Sequence, residues 1–226
     1  MKQLEEKIKI ARLFRFPEHT LAWQYLCGFE YPWQALDGLA DFICQLGARL
    51  SDEQFTRVGE DVWIAKSAKV APSACINGPC IIGEESEVRH GAFVRGSALV
   101  GSGCVVGNSV ELKNCILFDG AQVPHFNYVG DSILGYRAHL GAGAVTSNVK
   151  SDKTPVVIRC GRESVQTGRK KLGALIGDCV EVGCNSVLNP GTVVGAGSQI
   201  YPLSSVRGYV PENSIYKARD CVIVKR

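Results

Sequence analysis

From Ile64 onward the chain places an apolar residue every six positions: Ile64, Val70, Ile76, Ile82, Val88, Val94, Val100, Val106, Leu112 and Phe118. Four residues after each of the first seven stands a small side chain: Ala68, Ala74, Cys80, Ser86, Ala92, Ala98 and Cys104. After a shift near 118–128 the beat resumes at Leu134, Leu140 and Thr146. It returns at Ile176, Val182, Leu188, Val194, Ile200 and Val206, in register with the middle run. An α-helix turns once per 3.6 residues and cannot keep one face at a period of six. Simple strand alternation does not demand small residues at one fixed phase.

A triangular prism with three short flat strands per coil meets both conditions. The aliphatic residue points inward, and the small one lets the chain turn the corner. Glycine often follows the aliphatic position, as at Gly83, Gly101, Gly107, Gly135 and Gly141, where the backbone needs little side-chain bulk. The pattern is the hexapeptide repeat of a left-handed parallel β-helix, an all-β core. These hexads predict about six coils and a column roughly 29 Å tall at ~4.8 Å per coil. A β-sandwich would show alternation and turn signals every 8–12 residues instead.

Two segments leave the repeat. Residues 1–60 read as a helical cap: Leu4, Ile8, Ile10 and Leu13 precede Pro17, and Leu36, Leu39, Ile43 and Leu46 recur at helical spacing. Trp23, Tyr25, Tyr31 and Trp33 are expected to cover the open first coil, whose strand edge would otherwise be bare. The β-helix domain then occupies 61–226, with an inserted loop at 147–175. That loop contains the apolar run Val156-Val157-Ile158 and ends in the basic cluster Arg169, Lys170 and Lys171. Long insertions in compact repeats are often functional.

Composition narrows the partners. The net charge is +3 and no basic block is longer than Arg169–Lys171, which argues against nucleic acid, since binding a duplex needs a clustered basic face. No run of eighteen apolar residues and no secretory signature is present, so neither a membrane span nor export is expected. None of the ten cysteines forms a CxxC pair, and Cys80 and Cys104 stand where other repeats carry Ala or Ser. They read as reduced core residues of a cytoplasmic protein.

The polar stretch inside the repeat is Glu111-Leu112-Lys113 followed by Pro124-His125-Phe126-Asn127-Tyr128-Val129-Gly130-Asp131. It lies where the register shifts. His125 is one of four histidines, and an imidazole titrating near neutrality suits a general base. Tyr128 also falls six residues before Leu134, which leaves open a place in the core. Chemistry on such a prism belongs in clefts between subunits packed about a threefold axis, so a homotrimer is expected.

These residues, with Gly107-Asn108-Ser109-Val110 before them and Leu140-Gly141-Ala142-Gly143-Ala144-Val145-Thr146-Ser147-Asn148 after, carry a resemblance. The stretch resembles the acetyltransferase domain of the bacterial bifunctional UDP-N-acetylglucosamine pyrophosphorylase/glucosamine-1-phosphate acetyltransferase over roughly 90–220. The informative letters are Glu-x-Lys, His-x-x-Tyr-x-Gly-Asp and the Asn after Ala-Gly-x-x-Thr-x.

The resemblance implies a CoA-dependent acyltransferase with acetyl-CoA as cosubstrate. His125 would take a proton from an acceptor amine on a phosphorylated sugar or nucleotide-sugar. Arg95, Lys113, Tyr128, His139 and Asn148 would bind the acceptor, with Lys171 joining Arg95 on its phosphate. Ala142, Cys184 and Arg219 match positions that contact CoA. His139 stands where the family has Asn, Val149 where it has Tyr, and Cys184 where it has Ser. Nothing in 1–60 resembles the family's nucleotide-binding half, so a stand-alone acyltransferase is expected. The alternatives are a non-catalytic β-helix that binds a phosphorylated sugar or a partner protein, as a regulator or scaffold, and a trimeric zinc hydrolase. The histidine spacings fit a three-His zinc site poorly, and no metal site is expected.

Overall fold

The computed structural model describes residues 2–218 and 221–225. Its core is the left-handed parallel β-helix that the repeat predicts. The first face stacks Val62–Ala65, Cys80–Ile82, Ala98–Val100, the second halves of Glu111–Leu117 and Tyr128–Leu134, Ala174–Ile176, Thr192–Val194 and Tyr209–Val210. The second face carries Cys75–Ile76, Phe93–Val94, the first halves of the same two long strands, Val145–Thr146, Val187–Leu188 and Ser205–Val206. The third runs from Lys69–Val70 through Glu87–Val88, Val105–Asn108, Gln122–His125, His139–Leu140, Glu181–Val182 and Gln199–Ile200 to Ser214–Ala218. Eight strands on the first face exceed the six coils counted from perfect hexads. Irregular hexads near 118–128 and beyond Val206 still pair.

The register explains the shift. Strand partners stand eighteen residues apart at Val62↔Cys80 and Cys80↔Ala98, but seventeen apart at Ala98↔Cys115 and Cys115↔Ser132. The inward ladder therefore steps from Leu112 to Leu117, and from Val129 to Leu134. All four are fully buried in the prism interior. Phe118 is not a rung of that ladder; it lies outside the prism, stacked on Phe14 with ring centroids 4.9 Å apart. Tyr128 likewise is not in the core, because Val129 takes the inward position.

The small corner ladder continues through Cys115, Ala121, Asn127, Ser132, Ala138 and Ala144. Burial pushes the Cys104 and Cys115 thiols up to about 12, and the Cys80 thiol higher still with Cys115 beside it. All ten cysteines are free.

A second apolar cluster lies outside the prism. The outward residues of the first face are Trp63, Ile81, Leu99, Ile116, Ile133, Leu175 and Val193, and every one is buried there. The N-terminal segment covers them as a strap running from the last coils to the first. Leu13 O accepts from Asp178 N at 3.2 Å. His19 stacks on Tyr136 at 3.9 Å. The 3-10 turn Pro32–Leu36 lies against Tyr128–Leu134, and helix Leu39–Gly47 crosses the first-face strands between Cys80 and Leu117. Strand Phe55–Gly59 then pairs antiparallel with Val62–Ala65. Trp23, Tyr25, Tyr31 and Trp33 belong to this side cluster, so they cover a face and not the open first coil.

The insertion folds as an antiparallel hairpin, Val157–Cys160 with Glu163–Gln166. Val156, Ile158 and Val165 enter the same outer cluster. Glu163 accepts from Leu4 N at 2.8 Å, and Arg169 pairs with Asp37. No helix among the described residues is long and apolar enough to cross a membrane.

Candidate active site

Strand Gln122–His125 is the third-face strand of its coil, and the chain turns onto the second face through Phe126, whose φ is +52°. Asn127 makes that corner. It is 2% exposed, accepts from His125 N at 3.1 Å, and donates to Gly141 O at 2.8 Å and Ala144 O at 2.9 Å. A Cβ on Gly107 would lie 1.6 Å from Pro124 O, so only glycine lets the Pro124–His125 strand approach this closely. Asn127→Ala leaves buried backbone groups without partners, an expected loss of about 1–3 kcal/mol in denaturant unfolding. An unchanged unfolding midpoint would show that water replaces those bonds.

The His125 side chain is exposed, and among the described residues its imidazole has no intrachain hydrogen-bond partner. Its backbone belongs to a ladder along this edge of the prism. Asn108 O accepts from Phe126 N at 2.9 Å, His125 O from Gly143 N at 3.0 Å, Ala142 O from Asn185 N at 2.8 Å and Cys184 O from Leu203 N at 2.9 Å. His125, Ala142 and Cys184 therefore stand on successive coils of one edge. The N–H groups of Ala142 and Cys184 donate to no acceptor among the described residues. Two small side chains with two open donors thus follow His125 along this edge, on the next two coils.

Three residues past His125, on the second face, a polar network begins. Tyr128 OH accepts from Asn148 Nδ2 at 3.1 Å, and that amide also donates to Asp131 at 2.5 Å. Asp131, 2% exposed, also accepts from Asn114 Nδ2 at 2.9 Å and pairs with Lys113 Nζ at 3.4 Å. Burial raises the Tyr128 phenol, the Asp131 and Glu111 carboxylates add to that, and Asn148 and Arg95 oppose it. Arg95 pairs with Glu111 at 2.7 Å.

The structure thus brings together Lys113, Tyr128 and Asn148, with Arg95 near enough to act on the phenol. Lys171 reaches the edge of this group through its bridge to Val149, next to Asn148, but makes no contact with Arg95. His139 lies on the third face, where its Nδ1 meets Glu181 at 2.7 Å, apart from the network. Arg219 lies outside the described residues. Among the described residues no group of three or more His, Cys, Asp or Glu side chains is placed to hold a metal ion.

Glu111 and Asp131 belong to the polar stretch read in the sequence without a role of their own, and Asn114, which that reading missed, completes the network with them. Their signal was positional: Asn114 and Asp131 occupy equivalent places one coil apart, both with left-handed backbone at φ +49° and +48°. Asn127, read beside His125 as part of the polar stretch, is a corner residue in the small ladder.

Relatives place these features in context. The bifunctional protein GlmU of Methanococcus maripaludis is 36% identical over 116 residues, 51% of this chain and 28% of that protein. The bifunctional sugar-1-phosphate nucleotidylyltransferase/acetyltransferase of Sulfurisphaera tokodaii is 34% identical over 106 residues, 47% of this chain and 26% of that protein. The chain thus spans little more than a quarter of the length of these curated relatives. Among solved structures, the acetyltransferase domain of PglB from Neisseria gonorrhoeae, in complex with acetyl coenzyme A, aligns over 72% of this chain and 56% of that one. The identity is 17% and the TM-score 0.32. Residues 76–210, which include His125 and the polar network, match the family described as the GMPPB C-terminal domain, and the chain belongs to that family.

Proposed function

We propose that this chain is an acetyltransferase that moves an acetyl group from CoA to an amine on a phosphorylated sugar or nucleotide-sugar. The observation that carries the reading is the edge on which His125, Ala142 and Cys184 stand in register, with the Lys113–Tyr128–Asn148 network beside it. The name of the Sulfurisphaera tokodaii relative, which includes acetyltransferase and sugar-1-phosphate chemistry, supports it.

The residues fit acetyl-CoA as cosubstrate, which supplies the activated acetyl thioester. Ala142 and Cys184 leave a strip of low side-chain bulk, and their open N–H groups offer hydrogen bonds to carbonyl oxygens along it. Arg219 is proposed to join them on the CoA side. An acceptor ammonium must lose a proton before its nitrogen can attack a thioester, and His125 is the base within reach of that edge. Backbone N–H donors stabilise the oxyanion that develops on the acetyl carbonyl. Lys113, Arg95 and Lys171 supply cations for a phosphoryl group, and Tyr128 and Asn148 supply hydrogen bonds to sugar hydroxyls. His139, held by Glu181, faces out from the third face, where a neighbouring subunit of a trimer would meet it. The exposed apolar side chains of the second face and its corner, Phe93, Phe126 and Val187, suit that assembly. We place the protein in the cytoplasm, consistent with ten free cysteines.

A non-catalytic scaffold is the second reading, and one observation favours it: Arg95 and Lys113 are already neutralised by Glu111 and Asp131. Thiol release from acetyl-CoA separates the two. Release that depends on an amino-sugar phosphate is expected, and its absence together with no thermal stabilisation by acetyl-CoA would favour the scaffold.

Cysteine labelling tests the CoA path without turnover. At pH 8 a maleimide should modify the exposed Cys27, Cys75, Cys179, Cys184 and Cys221, and spare Cys80, Cys104 and Cys115 until the protein unfolds. Acetyl-CoA, which carries no free thiol, should slow labelling of Cys184 several-fold and leave Cys179 unchanged. Equal rates at Cys184 with and without acetyl-CoA would remove it from the path.

A further inference from the structure

We propose that the cleft between the N-terminal strap and the last coils is a binding site for a small tetrahedral oxyanion, a phosphate or phosphoryl group. Its cavity of about 140 Å³ is lined by Lys7 and Arg12 from the strap and by Gly195, Tyr209 and Glu212 from the coils. Pockets for drug-sized ligands hold roughly 300–1,000 Å³, so a nucleotide or CoA is too large and a single oxyanion fits. It lies beside first-face strands, whereas His125 stands at the corner of the second and third faces.

Charge selects an anion here. Glu212, the carboxylate in the lining, is held by the Arg15 guanidinium. Lys7 and Arg12 pair with no anion among the described residues, and the Tyr209 hydroxyl has no hydrogen-bond partner among them. The lining thus carries two uncompensated cations and one open O–H donor. Burial raises the Tyr209 phenol and Cys160 adds to that, while the charges of Arg12 and Arg15 oppose it. A guanidinium fork, an ammonium and a phenol along the lining of one small space supply the donor set of a phosphate site.

The occupant would bridge two parts of the fold. Lys7 and Arg12 belong to the strap, and Tyr209 to the last parallel strand of the first face. A bound oxyanion ties the start of the strap to the end of the column and stabilises the covered form by mass action. Whether acetyl transfer occurs at His125 has no bearing on this site.

The test compares melting temperatures in sodium phosphate and sodium chloride at matched ionic strength, with phosphorus NMR line broadening as a direct binding measure. A saturable, phosphate-specific rise is expected for the natural chain. Arg12→Ala should weaken the apparent affinity at least tenfold and Tyr209→Phe several-fold. Both positions lie in the cleft wall, so Lys7→Ala, at an exposed helix end, serves if either variant fails to fold. A sugar phosphate that matches or exceeds inorganic phosphate assigns the site to the phosphoryl group of a metabolite. A response to inorganic phosphate alone assigns it to the free ion. No phosphate-specific shift, or a shift that survives all three substitutions, would overturn the proposal.

Discussion

Replacing His125 by alanine is expected to lower acetyl transfer by about 100-fold or more while leaving the fold intact. The two halves of that expectation rest on different observations. The rate should fall because His125 stands on the coil next to Ala142, whereas His90, two coils away on the same edge, is engaged by Ser73 at 2.6 Å. The fold should survive because the imidazole is exposed and makes no intrachain hydrogen bond among the described residues. The local structure is held by backbone bonds and by Asn127, all of which the substitution keeps. The comparison with His139→Ala is informative. That ring is held by Glu181 on another face, so its loss should alter acceptor affinity more than the turnover rate. Turnover of His125→Ala near that of the natural chain would remove it from the chemistry.

The second large effect lies outside the prism. Phe118→Ala is expected to destabilise the protein by about 3–5 kcal/mol, because Phe118 is fully buried and its deletion opens a cavity. The loss should be shared with the strap. Phe14 stacks on Phe118 at an interplanar angle of 29°, and a double-mutant cycle between them should give a coupling of about 0.5–1.5 kcal/mol. Denaturant unfolding of the two single variants and the double variant measures both quantities. A cost below about 1 kcal/mol, or strictly additive losses, would mean that the strap does not rest on the column as described.

The inward ladder was readable because its period is short and its residue type strict. The same strictness misplaced Phe118. The first of two seventeen-residue coils moves the rung to Leu117, and a ruler of fixed length cannot register a one-residue deletion when the next residue is also apolar. The outer column was legible in principle. The residue before every third rung is apolar, as in Trp63-Ile64, Ile81-Ile82 and Leu99-Val100, whereas Lys69 and Glu87 precede rungs on the third face. That pattern marks one face as covered, which is why the strap lies along it and not over the first coil.

The site divides in the same way. Lys113, Tyr128 and Asn148 could be named from the sequence because the resemblance carries their letters. What holds them together could not, because Asp131 links Asn114 and Lys113 on one coil to Asn148 on another only through stacking. Lys171 was named by the resemblance too, but its place needed the fold: the hairpin of the insertion returns to the column next to Asn148, so the chain brings a residue more than twenty positions away to the edge of the network.

A crystal structure of this chain with CoA and an amino-sugar phosphate addresses the central claim most directly. The CoA sulfur is expected within a few ångströms of the His125 ring, and the pantetheine arm along the backbone N–H groups of Ala142 and Cys184. The acceptor phosphate should then lie toward Lys113. CoA bound on another face, or His125 turned away from both ligands, would contradict it.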